Sequence, residues 1–175
     1  MYRLLAAPVL IYLIIVGNLE LYKWMLPLSF FTDLIDGYLA RKYKAISVFG
    51  SRLDSIADDL TIVAAIIGVF AFKMDFVKEQ KLLVGIMLVL YLAQTISALI
   101  RYRKISSFHT YIAKIAAIFQ GVFLILLFIG TQAIVPLFYT AAFFTIADLA
   151  EEIALVLLLP KWEADVKGLY WVLKR

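Results

Sequence analysis

The sequence predicts an all-α integral membrane protein, a bundle of six transmembrane helices followed by a short interfacial helix at the C-terminus. Three observations support this fold class. The 175 residues are 65% hydrophobic, with a mean hydropathy of +0.96, whereas a soluble domain is about 45–50% apolar. Six apolar runs are each close to the length that a membrane-crossing helix requires. The charged residues lie mainly between these runs.

The six runs cover residues 4–19, 24–39, 49–72, 82–100, 111–129 and 133–159. The first run is predicted to stay as a helix and not to be cleaved as a signal peptide, because no polar mature domain follows it. Turns are expected at Gly17-Asn18-Leu19-Glu20 and at Gly130-Thr131-Gln132, and residues 73–81 are predicted to form a charged loop. In the tail 161–175, Trp and Tyr alternate with polar residues, which predicts an interfacial helix. We expect one domain over residues 1–175.

The basic residues predict the orientation. Six spans put both termini on one side, and 13 of the 17 Lys and Arg residues fall on that side, leaving Lys23, Lys73, Lys78 and Lys81 on the other. The positive-inside rule makes the richer side cytoplasmic. The absence of Cys excludes a disulfide framework and thiol chemistry. We therefore expect a cell (inner) membrane protein with a cytoplasmic active site and no nucleic-acid partner.

Two pairs of carboxylates dominate residues 33–58, which read DLIDGYLARKYKAISVFGSRLDSIAD. Asp33 and Asp36 lie three residues apart, and Asp54 and Asp58 lie four apart, so each pair shares one face of its helix. Each buried charge at mid-membrane costs roughly 2.5–3.5 kcal/mol, so four of them require a positive counterpart. Oxygen ligands suit a hard cation, Mg²⁺ or Mn²⁺, and bridging carboxylates suit two ions.

The residues between the pairs point to a phosphate ligand. Gly37 and Ala40 keep one helix face free of bulk, Arg41 offers a planar fork for phosphate oxygens, and Gly50 precedes the second pair. The full pattern is D-x2-D-G-x2-A-R-x8-G-x3-D-x3-D, with eight specified positions in 26 residues. It resembles the signature of the CDP-alcohol phosphatidyltransferase family at every position.

The resemblance implies a reaction and a set of roles. A member of this family would transfer a phosphatidyl group from CDP-diacylglycerol to an alcohol and release CMP, as a homodimer in the bilayer. Asp33, Asp36 and Asp54 would bind metal, and Asp58 would touch the second ion and act as the catalytic base. The CDP group would contact Asp33, Gly37, Ala40, Arg41, Gly50 and Asp54. The polar lead that usually precedes the first helix is absent before Arg3, so we expect an upstream start or a trimmed chain.

The acceptor is predicted from a second basic group. Arg101, Arg103, Lys104 and Lys114 flank the same cytoplasmic side and are able to hold a phosphate, although the first three are equally explained as topology anchors. Residues 109–120 resemble the matching segment of phosphatidylglycerophosphate synthases, except that Ala113 and Ala117 replace a more usual Gly and Thr. This favours glycerol 3-phosphate and leaves inositol phosphate, serine and a phospholipid open.

Three further acids and two rival functions complete the prediction. Asp148, Glu151 and Glu152 lie on one stripe of the sixth run, where we expect them to pair with Lys114 or Arg52 or to meet a partner subunit. An intramembrane prenyltransferase would also bind a diphosphate through acidic pairs. A divalent-cation carrier would instead distribute acids across the membrane depth.

Overall fold

A computed structural model shows eight helices and no strand among the residues that it describes, which are 2–42, 48–103, 108, 110–130, 134–161, 163 and 166–174; side chains are described for 6–32 and, within those ranges, from 60 onward. The helices are α1 (Tyr2–Ile15), α2 (Leu19–Lys42), α3 (Val48–Phe72), α4 (Met74–Glu79), α5 (Lys81–Tyr102), α6 (Tyr111–Ile129), α7 (Ile134–Leu158) and α8 (Leu169–Leu173). The all-α class is thereby confirmed. The chain divides into two compact units, Met1–Glu79 and Gln80–Arg175.

In the first unit, α1 packs against both α2 and α3. Its buried residues include Ala6, Ala7 and Leu10, and those of α3 include Ala64 and Ala65. Small residues at a helix contact allow the two backbones to approach closely. The first unit is therefore built around α1, which holds the two helices that contain the carboxylate pairs.

Helix α2 begins earlier than the sequence predicted. The run starting at residue 24 is extended back to Leu19, because the side chain of Asn18 caps the helix by accepting a hydrogen bond from the Leu21 N–H at 3.1 Å. Glu20 and Lys23 form an ion pair at 2.6 Å within the first turns. Pro27 therefore lies in the interior of α2. The predicted loop at 73–81 is also wrong in part, since it contains α4.

In the second unit, α7 packs against α5, α6 and α8. Phe119 stacks on Phe144 with ring centroids 5.0 Å apart, and Gln120 Nε2 donates to Thr145 Oγ1 at 2.7 Å. Apolar stacking and an interhelical hydrogen bond are both typical of helix contacts in a membrane. Gly130 ends α6 in the left-handed conformation, with φ of 83°, as the predicted turn requires.

Among the described residues, two helices, α5 and α6, are long and apolar enough to cross a membrane by length and composition. Only 11% of the apolar window of α5 and 17% of that of α6 is buried, which differs from the mostly buried core helix of a soluble protein. Within the part of α1 and α3 whose side chains the structure describes, the apolar stretches are Ala6–Ile15 and Leu60–Phe72. The described residues thus include two candidate membrane-spanning helices, while the count of six spans stays a prediction. Helix α8 lies where the interfacial helix was expected.

Candidate active site

The signature lies on two neighbouring helices of the first unit. Asp33, Asp36 and the glycine and arginine that follow belong to the second half of α2, and Gly50 to Asp58 belong to the first half of α3. The side chains of residues 33–42 and 48–59 lie outside the described residues, as does the connection 43–47. The predicted contacts of the metal-binding and CDP-binding residues therefore stay predictions.

The described part of α2 has a buried stripe whose spacing, extended along the sequence, leads to the first carboxylate pair. Tyr22, Leu26 and Ser29 have 0% exposure and follow one another at steps of four and three residues. The next steps of four and three arrive at Asp33 and Asp36. Residues at such spacing share one helix face, so the two carboxylates occupy the same register as the inward side of α2.

Helix α3 shows the same relation in the opposite chain direction. Thr61 and Ala65 are buried, with 3% and 0% exposure. Stepping back from them by three and then four residues gives Asp58 and Asp54. The second pair therefore shares the register of the buried face of α3.

The two buried stripes meet at the other end of the helices. The Tyr22 hydroxyl donates a hydrogen bond to the Ala64 carbonyl at 3.1 Å, and the Tyr22 ring lies 5.3 Å from the Phe72 ring. Next to this contact, Gly68 has no side chain, and a Cβ there would overlap the Tyr22 hydroxyl. The buried faces of α2 and α3 therefore contact each other at Tyr22. One carboxylate pair lies further along the register of each of these faces.

The predicted acceptor-binding cations that the structure describes lie where α5 ends and α6 begins. Arg101 is exposed, and its Nε donates to the Leu159 carbonyl at 3.1 Å. Arg103 ends α5 in the left-handed region, with φ of 55°. Lys114 is in the first turns of α6, with its Nζ 5.6 Å from the centre of the Tyr111 ring. Lys104 lies outside the described residues.

Two of the three acids of α7 have partners that the sequence did not reveal. Glu152 Oε1 accepts the backbone N–H of Phe108 at 2.9 Å, and Glu151 Oε1 accepts that of Leu169 at 2.8 Å. The predicted ion pair with Lys114 is absent among the described side chains, because these carboxylates face backbone N–H groups instead. The Arg52 side chain is outside that set. Within the described part of the chain, no group of three His, Cys, Asp or Glu residues is placed to hold a metal ion.

Comparison with known families settles the assignment of the signature. The model of the CDP-alcohol phosphatidyltransferase family matches residues 1–158, which is most of both compact units. The chain belongs to this family. Membership confirms the resemblance drawn from residues 33–58 and the predicted enzyme class, a phosphotransferase of phospholipid biosynthesis.

Individual relatives carry a more specific name. A protein of Rickettsia felis is 31% identical over 133 residues, covering 74% of this chain and 72% of the relative, and is named CDP-diacylglycerol--glycerol-3-phosphate 3-phosphatidyltransferase. A protein of Rickettsia typhi with the same name is 35% identical over 80 residues, 44% of each chain. A cardiolipin synthase (CMP-forming) / mitochondrial hydrolase fusion protein of Schizosaccharomyces pombe is 43% identical over 56 residues, 32% of this chain and 9% of the relative. The matched part thus ranges from under half to nearly three quarters of the Rickettsia relatives. No solved structure matches the chain significantly.

Proposed function

We propose that this protein transfers the phosphatidyl group of CDP-diacylglycerol to glycerol 3-phosphate and releases CMP. The observation that supports the proposal is the spacing of the signature: its two carboxylate pairs fall at the sequence positions that extend the buried stripes of α2 and α3. Acids on a lipid-facing side would be costly and would have no shared ligand. Acids on the inward side of two neighbouring helices fit a common site.

The depth of the two pairs along the helices supports a common site as well. Tyr22 meets Gly68 and Phe72. For antiparallel helices, the count starts from Tyr22 on α2 and from position 70, midway between Gly68 and Phe72, on α3. Fourteen residues forward along α2 reach Asp36, and fourteen residues back along α3 reach position 56, between Asp54 and Asp58. Each step advances about 1.5 Å along its axis, so both paths cover about the same distance.

The donor set fits divalent cations. Four carboxylates supply only hard oxygen ligands, the type that Mg²⁺ and Mn²⁺ prefer, and we propose that Asp33, Asp36, Asp54 and Asp58 hold two ions. When bound, such ions neutralise the diphosphate and stabilise the departing CMP phosphate. The choice between Mg²⁺ and Mn²⁺ is an outcome of the assay described below.

The remaining roles follow from side-chain chemistry. Asp58 accepts the proton of the acceptor hydroxyl, the freed oxygen bonds to the phosphorus on the diacylglycerol side, and the bond from that phosphorus to CMP breaks. Arg41 binds diphosphate oxygens through its planar fork. Gly37, Ala40 and Gly50 leave room for the CDP group beside the helix backbone.

Glycerol 3-phosphate is favoured as acceptor for two reasons. The names of the Rickettsia relatives contain glycerol 3-phosphate as the acceptor. In addition, Arg101, Arg103 and Lys114 lie at the junction of α5 and α6, and their positive charges suit a phosphate. We further propose that the site opens to the cytoplasm, that the protein lies in the cell membrane, and that it acts as a homodimer.

The test is acceptor-dependent release of CMP by the purified protein in lipid nanodiscs. CDP-diacylglycerol and Mg²⁺ or Mn²⁺ are supplied with glycerol 3-phosphate, inositol phosphate, serine, phosphatidylglycerol or no acceptor. Release that requires glycerol 3-phosphate is expected. Release that requires another acceptor would keep the reaction and change the substrate, whereas no release with any acceptor would contradict the proposed reaction.

A matched pair of variants separates the base from the general effect of removing an acid. Asp58→Asn should lower the rate of CMP release at least about 100-fold, the lower range of acid–base contributions. Asp59→Asn removes the neighbouring carboxylate, about 100° round the helix and outside the signature, and should keep most of the rate. Equal losses in both variants would remove Asp58 from the role of base.

A further inference from the structure

The connection between α5 and α6 is held to the end of α7 by a buried hydrogen bond. Phe108 has 0% exposure, and its backbone N–H donates to Glu152 Oε1 at 2.9 Å. Glu152 is itself 6% exposed. The two residues are 44 positions apart in the chain, so this contact ties Phe108 to α7 across a long stretch of sequence.

Other contacts fix the two flanks of the same connection. On the α5 side, the Tyr102 hydroxyl donates to the Leu159 carbonyl at 2.9 Å, and Arg101 Nε donates to the same carbonyl at 3.1 Å. On the α6 side, Thr110 caps the helix by accepting the Ala113 N–H at 3.1 Å. The Phe108 side chain lies in a buried cluster with Ala98, Leu155, Val156, Leu159 and Val166.

The same junction presents the cations of the proposed acceptor site. Arg101 and Arg103 end α5, and Lys114 lies in the first turns of α6. The Arg101 guanidinium is oriented by its Nε bond, and a guanidinium carries four further N–H donors that suit a planar anion. Whether these cations act on one phosphate depends on how the junction is held, because a displacement of about 1 Å in a positioned group is able to cost about 100-fold in rate.

We propose that Glu152 is a positioning residue for acceptor binding. By accepting the Phe108 N–H, it fixes the junction of α5 and α6 and so the placement of Arg101 and Arg103 relative to Lys114. This inference rests on the proposed function. The role of Glu152 in this inference is distinct from that of the signature acids and does not depend on an ion pair. All the residues concerned belong to the second unit.

The test separates the reach of the Glu152 side chain from its charge. Glu152→Gln keeps an oxygen at the same distance from the backbone and should keep the KM for glycerol 3-phosphate within about threefold of the parent value. Glu152→Asp keeps the charge and shortens the side chain by one methylene, and Glu152→Ala removes the acceptor. Both should raise the KM for glycerol 3-phosphate about tenfold or more and leave the KM for CDP-diacylglycerol within about twofold.

Glu151→Ala is the matched control. Glu151 lies on the same helix and also accepts a backbone N–H, that of Leu169, but this N–H belongs to α8, which contains none of the proposed acceptor cations. Its KM for glycerol 3-phosphate should stay within about threefold of the parent value.

If Glu152→Gln behaves as Glu152→Ala does, or if both KM values rise together in Glu152→Asp, the positioning role is wrong. If the parent protein itself shows no glycerol 3-phosphate dependence, the proposed acceptor fails first, and these variants are compared with the acceptor that is used.

Discussion

The hydroxyl of Tyr22 on α2 lies against the backbone of Gly68 on α3. It reaches the Ala64 carbonyl, one helical turn before Gly68, and donates a hydrogen bond to it at 3.1 Å. A side chain at position 68 would occupy the space of the hydroxyl. Because Tyr22 and Gly68 belong to the two helices that carry the signature, this contact sets their relative position about 16 Å along α2 from Asp33.

Replacing Gly68 by Ala should therefore destabilise the protein. The added Cβ overlaps the Tyr22 hydroxyl, and forcing an extra methyl group into a packed contact costs about 1–3 kcal/mol. The measurement is the midpoint of thermal unfolding in detergent, monitored as the loss of monodisperse protein on heating. Tyr22→Phe introduced in the Gly68→Ala background should recover little of the loss, because it removes the overlapping oxygen but keeps the ring carbon Cζ, which the added Cβ also overlaps.

Gly85→Ala and Gly121→Ala are the controls for this prediction. Both glycines are inside helices, and a Cβ at either position meets nothing within 4 Å. Alanine in place of an unconstrained helical glycine stabilises by about 0.5–1 kcal/mol. If the unfolding midpoint of Gly68→Ala rises as those of the controls do, the Tyr22 contact does not require the absence of a side chain at position 68.

Much of the helical layout could be predicted because long apolar runs dominate the signal. The fifth run and α6 have the same bounds, Tyr111–Ile129, and the sixth run differs from α7 by one residue at each end. The start of α2 was missed because Glu20 and Lys23 read as loop charges, whereas they form an ion pair within the helix. Charge alone does not distinguish a loop from an exposed helical turn.

The candidate site was predictable only as far as its spacing. Fixed intervals of three and four residues place Asp33 with Asp36 and Asp54 with Asp58, and the structure puts both pairs on helices. The partners of Glu151 and Glu152 were not predictable, because a backbone N–H has no signature in sequence. Only the fold brings Phe108, 44 positions away, to Glu152.

Divalent cations should stabilise the folded protein through the signature and not through the acids of α7. A ligand that binds only the folded state adds about 2.7 kcal/mol when present at 100 times its Kd. The midpoint of thermal unfolding should rise with MgCl2 or MnCl2 relative to NaCl at equal ionic strength. Asp54→Asn should abolish this rise, and Asp148→Asn should keep it. The reverse pattern would move the cation site to α7.

Arg103→Gly should make the protein more stable and less active. Arg103 has φ of 55°, a conformation that costs a side-chain-bearing residue roughly 1–2 kcal/mol and costs glycine little. Removing the guanidinium should at the same time raise the KM for glycerol 3-phosphate about tenfold, which is the loss of one charge-assisted hydrogen bond of about 1.5 kcal/mol. Both unfolding midpoint and KM are measured on the same preparation.

Arg103→Ala tests the two effects separately. It removes the same guanidinium and keeps a Cβ in the left-handed conformation, so its KM should rise as in Arg103→Gly while its unfolding midpoint stays near that of the parent protein. An unchanged KM in both variants would identify Arg103 as a topology anchor.

Asp148→Asn should stabilise the second unit. Asp148 Oδ1 and Glu151 Oε2 are buried without a hydrogen-bond partner among the described residues, and the two side chains are three positions apart on α7. A buried carboxylate without a partner is costly, and an amide at position 148 removes one charge and supplies a donor for its neighbour. The unfolding midpoint should rise by the equivalent of about 1 kcal/mol.

Asp75→Asn is the control. The Asp75 side chain forms an ion pair on α4 and is 96% exposed, so this substitution should change the stability by less than about 0.5 kcal/mol. A lower midpoint for Asp148→Asn would mean that the charge at position 148 is bound by a partner in the native assembly.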